Sequence, residues 1–338
     1  MKLSRWRKYF SLLPVLIVLF LFVLPLYMHS RSYYSRFNQL FFNIVLAMGV
    51  YSLWTIGYIN AAQPVFFGLG AYTVALLIMR AHWPFWLAFP IAGIVPAIIA
   101  AMLGFVGLKL KGAYFLFLTI AFCELIIWMF MSWKGLFNGT FGLFPVPQPE
   151  IKIFGITVHF LGSLTAYYYL FLILAVVTCL FYFKIHGSRL GRVWENIGNN
   201  EGLLANTGIS VFTQKQICLI ASCFFAGLAG AVYAPYTTIV TPGQFTIWQG
   251  IWIVLGVLVG GIFSPVGAII GTVFMSVLYV LLQRYSQTQP LILGLILIMV
   301  LIFMPSGIFG LSARIKNKIR ELTVNKVAPT ENKKTNRG

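Results

Sequence analysis

Glu124, in the run Leu118-Thr119-Ile120-Ala121-Phe122-Cys123-Glu124-Leu125-Ile126-Ile127-Trp128, is a carboxylate set among apolar residues. The chain has six acidic residues, all glutamates, and only Glu124 falls inside an apolar run. No series of carboxylates is present to relay protons across a bilayer, so a proton-driven pump is disfavoured. A lone intramembrane carboxylate either touches what crosses the membrane or bonds a neighbouring helix or backbone. The four histidines, His29, His82, His159 and His186, are scattered near segment ends without the His-Glu-x-x-His spacing that holds zinc. Cys123, Cys179, Cys218 and Cys223 lie in apolar runs with no Cys-x-x-Cys pair, which favours neither disulfides nor a metal site. Gly-x-Ser-x-Gly is absent, and so is Gly-x-x-x-x-Gly-Lys-Ser/Thr. The residues therefore assign no catalytic role, no metal and no cofactor, and any ATP hydrolysis that drives this chain belongs to another subunit.

The other chemically rich stretch is Lys184 to Lys215, a long polar interval carrying Lys184, Arg189, Arg192, Glu195, Glu201 and Lys215. Gly187, Gly191, Gly198, Gly202 and Gly208 punctuate it as turns, leaving Glu201 to Asn206 as the patch most suited to a short helix. Such a helix offers one face to a partner's groove and transmits rigid-body motion. A solvated connector, kept flexible by its glycines, is the competing reading of the same residues.

The elements that position these groups are membrane spans. The 338 residues are 60% hydrophobic and 9% charged, against about 25% charged in soluble domains. Runs of about 20 apolar residues cross the hydrocarbon, and about ten segments follow, near 10–28, 38–58, 64–80, 84–107, 113–133, 164–183, 216–234, 246–263, 266–283 and 290–305. The fold expected is an all-α polytopic transmembrane helix bundle with short or broken helices and an internal repeat. One membrane domain over 10–312, including the 184–215 loop, lies between a tail at 1–9 and a basic tail at 313–338. Lys2, Arg5, Arg7 and Lys8 followed by an apolar run have the shape of a signal peptide, but bulky polar residues at His29 to Tyr34 replace a cleavage site, and the run is read as the first span.

Ten crossings place both termini on one side. Of the 24 basic residues, all but Arg31, Arg36, Arg80, Lys134, Lys152 and Arg284 then fall on that side, which the positive-inside rule makes cytoplasmic, together with the 184–215 loop. The basic residues cluster at the tails and in a few loops rather than on a soluble face, so the net charge of +18 reads as topogenic and not as a nucleic-acid footprint. The runs opening at Pro64 and closing before Ser264-Pro265 are short, and broken helices at membrane depth are tolerated only in protein or along a cavity. Pro64-Val65 with Gly70 and Pro265-Val266 with Gly271 echo one another. Small residues spaced by four, at Gly256/Gly260, Gly267/Gly271 and Ala226-Gly227/Gly230-Ala231, predict close helix contacts, within the bundle by preference and between subunits as the alternative.

Several blocks in order carry a family resemblance across residues 37 to 312. They are Gly57 to Tyr72, ending Phe66-Phe67-Gly68-Leu69-Gly70-Ala71-Tyr72; Lys111-Gly112-Ala113-Tyr114-Phe115 followed by Leu118 to Glu124; and Asn138 to Leu143. Ser188 to Trp194 with Glu201 and Gly208-Ile209, then Phe225 to Ala231, Pro242 to Phe245, Gly260-Gly261, Gly267 to Gly271 and Pro305 to Ile308 complete the set. The chain resembles the LivM-type permease subunit of branched-chain amino acid ABC importers, within the branched-chain amino acid, urea and amide permease family.

That resemblance implies a multi-pass protein of the bacterial inner membrane with cytoplasmic termini. It implies a second, related permease subunit, two cytoplasmic ABC ATPase subunits and an extracytoplasmic substrate-binding protein as partners. The residues it marks for coupling to the ATPase are Arg189, Arg192, Glu201, Gly208 and Ile209. For the translocation pathway they are Gln63, Phe66, Gly68, Gly70, Tyr72, Tyr114, Thr119, Glu124, Gly260 and Gly261. Three departures stand out: Gly198-Asn199-Asn200 replaces a charged run before Glu201, Leu203-Leu204 replaces an alanine pair, and Asn60-Ala61-Ala62 with Pro64 replaces the usual small residues. The expected cargo is a branched-chain or other hydrophobic amino acid, with urea or a short amide as the alternative within the family. An ion-gradient-driven secondary transporter, or a membrane subunit that transports nothing, are the readings from other classes.

Overall fold

The computed structural model describes residues 19–26, 30–110, 112–149, 164–205, 208–261 and 264–283, the backbone of 151–153 and 156–158, and scattered residues between 291 and 299. The two tails, and most of the first and last spans expected from sequence, lie outside these residues. Ten helices organise the described part, beside the one-turn helix Lys134–Phe137: α1 (Arg31–Thr55), α2 (Gln63–Met79), α3 (Phe85–Gly107), α4 (Ala113–Ser132), α5 (Leu164–His186), α6 (Arg189–Asn199), α7 (Glu201–Ala205), α8 (Val211–Thr237), α9 (Ile247–Gly260) and α10 (Pro265–Leu282). Seven segments among the described residues are long and apolar enough to cross a membrane, and α2 is a shorter apolar helix. The fold is an all-α polytopic membrane bundle. A small antiparallel hairpin, β1 (Ile151–Ile153) with β2 (Ile156–Val158), sits in the connection between α4 and α5 and was not anticipated.

α8 is the central element, packed along α2, α3 and α1, while α9 pairs with α10 and α1 bridges to α5 and α10. Two crossings are made backbone against backbone. A methyl group added at Gly70 would overlap the carbonyl of Gly227, and one at Gly230 would overlap that of Phe67, so α2 and α8 touch with no side chain between them. Gly260 and Gly271 meet in the same way, with Gly267 against the Gly260 and Gly261 carbonyls, at the α9–α10 crossing. The small-residue spacing thus acts within the bundle, where it lets backbones approach and gain dispersion contacts that lipid-facing side chains cannot supply. In both pairs the helix that opens on proline, α2 or α10, presses the glycine six positions later, Gly70 or Gly271, onto its partner. This is the repeat that the sequence echo anticipated.

α2 begins inside the bundle. The chain leaves α1 at Thr55, turns at Gly57 with φ of 84°, and runs without helix to Ala62. Ala61 N donates to Thr119 Oγ1 at 3.4 Å, and Gln63 Nε2 donates to the Ser222 carbonyl at 3.1 Å. Thr119 and Ser222 lie six and eleven residues into α4 and α8, which at 1.5 Å per residue is roughly 9 to 17 Å from those helix starts. Irregular backbone at that depth must find its hydrogen bonds in protein. Asn60 supplies them: its Oδ1 accepts from Ala62 N at 2.9 Å and its Nδ2 donates to Gln63 Oε1 at 3.1 Å. Ser222 Oγ closes the network on the Gln63 amide, and Asn60, Gln63 and Ser222 are all fully buried.

Candidate functional site

Two regions carry the residues singled out above. At one end of the bundle, α6 and α7 fold across the carboxyl ends of α1 and α5. Ser188 caps α6, its Oγ accepting from Leu190 N at 3.2 Å and Gly191 N at 3.5 Å. This cap turns a stretch that its glycines marked as loop into an amphipathic helix, with Gly191, Trp194 and Ile197 inward and Arg189, Arg192 and Glu195 outward. Gly198 rests on the Thr55 carbonyl so closely that a Cβ there would overlap it. His186 Nδ1 stands 3.3 Å from Tyr51 OH and 3.4 Å from Glu195 Oε1, joining α1, α5 and α6.

Glu201 opens α7, as anticipated for a short helix there, and its Oε1 lies 2.8 Å from Lys215 Nζ. Gly208 adopts φ of 78° with open space around its Cα, which places it at the turn into α8, with Ile209 half-buried behind it. Arg189 and Arg192 are exposed on α6. The five coupling candidates therefore gather on one stretch of chain at one end of the molecule. Lys109, Lys184 and Lys215 sit at the same end, whereas Arg31, Arg36, Arg80 and Lys134 flank the opposite helix ends, in the two groups that the charge count separates.

The pathway candidates divide. Gln63 and Thr119 belong to the polar network at the start of α2. Phe66 stacks on Phe122 at 5.5 Å between ring centroids, Gly68 makes room for Phe245, and Gly70 makes the α8 crossing. Tyr72 is buried against Phe130 and Phe137. Gly260 and Gly261, the latter at φ of 111°, form the end of α9 where it meets α10. Tyr114 and Glu124 stand apart from these, on the exposed face of α4. That face runs Tyr114, Phe117, Ala121, Glu124 and Trp128, at helical spacing, with Tyr114 71% and Trp128 66% exposed, while Phe115, Thr119, Cys123 and Phe130 point into the bundle. A cavity of about 560 Å³ opens between α1, α9 and α10, lined by Arg36, Asn43, Gln249, Trp252 and Ser276 among others, and none of the pathway candidates lines it.

Sequence reasoning missed Tyr58 and Ser222 as site residues and counted Lys215 only as loop charge. Lys215 is 3% exposed, donates to Tyr58 OH at 3.0 Å and belongs to the first turns of α8. A lysine followed by an unbroken apolar helix, with a glutamate fourteen residues before it, is a signal that only a structure distinguishes from a loop end.

The described residues thus form a bundle of membrane-spanning helices with one shorter buried helix, α2, and two short helices, α6 and α7, at one end. Residues 35–305 match the family model described as branched-chain amino acid transport system, permease component. The chain belongs to this family. Among curated proteins it is similar to the high-affinity branched-chain amino acid transport system permease protein LivM of Salmonella typhimurium strain LT2, at 28% identity over 285 residues. It is 27% identical over 287 residues to the protein of the same name from Escherichia coli K12. Both matches cover 79% of this chain and 66% of the relative, so the chain spans a little under two thirds of the length of the curated relatives it matches. No solved structure matches the chain significantly. As a member of the family it is a membrane permease component related to ABC transport systems.

Proposed function

We propose that this chain is one of two related permease halves of an ATP-driven importer, and that it carries branched-chain or other hydrophobic amino acids across the bacterial inner membrane. Its exposed α4 face lines the pathway at the junction with the second permease, and α6–α7 dock one of the two cytoplasmic ATPase subunits. An extracytoplasmic binding protein delivers the substrate, and both termini are cytoplasmic.

The observation that carries this reading is Glu124 on an exposed face near the middle of a span. An acidic side chain at the centre of a bilayer costs about 2.5–3.5 kcal/mol or more, so lipid is the wrong neighbour for it. Protein or a water-filled path is the right one. The remaining residues of that face, Tyr114, Phe117, Ala121 and Trp128, offer apolar and aromatic surface suited to an aliphatic side chain, with Glu124 as the polar contact. Gathering of the coupling candidates with the basic cluster at one end supports the docking of the motor there, because that end collects the charge expected of the cytoplasmic side.

Co-expression with adjacent-gene ATPases, a second permease and a binding protein, followed by reconstitution, tests the reading. ATP-dependent uptake that survives proton ionophores is the expected result. Uptake without the ATPases, collapsed by ionophores, would instead establish a secondary transporter. Binding measurements on the extracytoplasmic protein separate branched-chain amino acids from urea and short amides.

A further inference from the structure

Lys215 presents a physical puzzle. An ammonium group at 3% exposure gives up most of its hydration, and pairing it with the partly exposed carboxylate of Glu201 offsets that cost only in part. What it supplies is direction. Lys215 Nζ holds Glu201 of α7 at 2.8 Å and donates to Tyr58 OH at 3.0 Å, and it lies 4.9 Å from the centre of the Tyr58 ring. The Tyr58 hydroxyl in turn donates to the Leu108 carbonyl at the end of α3, at 3.0 Å. Its ring meets Phe115 of α4 edge to face, with centroids 4.8 Å apart.

Tyr58 also stands at the head of the non-helical segment that leads to α2, and three residues later that segment grips α4 again, through Ala61 N and Thr119 Oγ1. Phe115 and Thr119 are one turn apart on the inward face of α4. The outward face of the same helix carries Phe117, Ala121, Glu124 and Trp128. One unbroken line of contacts therefore runs from Glu201 of α7 to the helix that bears Glu124.

We propose that Lys215 and Tyr58 are the positioning residues through which movement of α7 is delivered to α4. The inference rests on the importer reading above and adds to it the route of coupling within this subunit. When α7 shifts, Glu201 draws Lys215, and Lys215 draws the Tyr58 hydroxyl. The 57–62 segment, held on α4 at two points, then moves the pathway face. Arg189 and Arg192 stay outside this line, as contacts for the partner.

The test uses the reconstituted importer with all its subunits. The variants are Tyr58→Phe, which keeps the ring on Phe115 and removes only the hydroxyl, Lys215→Met, and Lys215→Arg as the conservative replacement. Three readouts are taken: ATPase subunits retained on purification, ATP hydrolysed, and substrate taken up per ATP. The expected result is that Tyr58→Phe and Lys215→Met retain the ATPases and hydrolyse ATP, while uptake per ATP falls by at least about fivefold, the lower bound of typical coupling between sites. Lys215→Arg restores it. A ratio within about twofold of wild type in Tyr58→Phe would overturn the proposal, as would loss of the ATPase subunits from that variant, which would make the contact an assembly clamp only. Should Lys215→Met fail to fold, Tyr58→Phe alone decides. Absence of ATP-driven uptake in the wild-type complex would reject the importer reading instead, before any variant is compared.

Discussion

Gln63→Leu separates a structural role from a transport role at the start of α2. The side chain fills a fully buried position and makes four hydrogen bonds: its Oε1 accepts from Asn60 Nδ2 at 3.1 Å and from Ser222 Oγ at 3.2 Å, and its Nε2 donates to Ser222 O at 3.1 Å and Ser222 Oγ at 3.0 Å. Leucine keeps most of the volume, so the cavity contribution is small. What changes is that Asn60 Nδ2 loses its acceptor and Ser222 its amide partner. Each orphaned buried group costs about 1–3 kcal/mol in water-soluble proteins, while hydrogen bonds between membrane helices average about 0.6 kcal/mol. Two orphaned groups at an intermediate cost give a loss of about 2–4 kcal/mol. Titration of the purified protein from mild detergent into SDS, followed by tryptophan fluorescence, measures it. Pairing Gln63→Leu with Ser222→Ala should then show a coupling of about 0.5–2 kcal/mol, since the two residues share the bond. A Gln63→Leu protein as stable as wild type but unable to transport would refute the reasoning and make the amide a substrate contact.

Glu124→Gln should lower uptake while assembled protein stays near wild-type abundance, as judged by quantitative blotting of membranes; loss of the protein instead would mark the carboxylate as a packing partner. Gly271→Val should disrupt the α9–α10 crossing and cost about 3 kcal/mol or more, seen as aggregation on size exclusion, whereas Gly243→Ala, which meets open space, should be silent. Gly208→Pro forces φ near −65° at a position that sits at 78°, so ATP hydrolysis should persist in the assembled complex while uptake is lost, with the spans intact by circular dichroism.

Sequence reached the bundle and missed its joints for identifiable reasons. Span positions were legible because length and apolarity are the physical requirement itself, and α3 and α4 lie within two residues of the expected limits. α8 starts five residues earlier than expected because Lys215 looks like a boundary until Glu201 and Tyr58 are seen to satisfy it. α6 was read as glycine-broken loop, yet Gly191 and Gly198 are where the helix lies against backbone, so the glycines serve close approach rather than turning. Within the candidate site, helical spacing alone places Tyr114, Phe117, Ala121, Glu124 and Trp128 on one face. That this face stays open follows only from where α2 and α9 pack on α4.

The glycine crossings also divide the molecule mechanically. Packed helices usually slide by small rotamer adjustments at their contact, and such adjustment needs side chains. Where Gly70 meets Gly227 and Gly260 meets Gly271 there are none to adjust, so α2 with α8, and α9 with α10, behave as two stiff plates. The chain that joins them is 238–246, which carries the 3-10 turn Pro242–Gln244, and motion between the plates would be absorbed there. Any hinging between them would then turn two inflexible blocks about one short, partly helical connection, with little deformation inside either block.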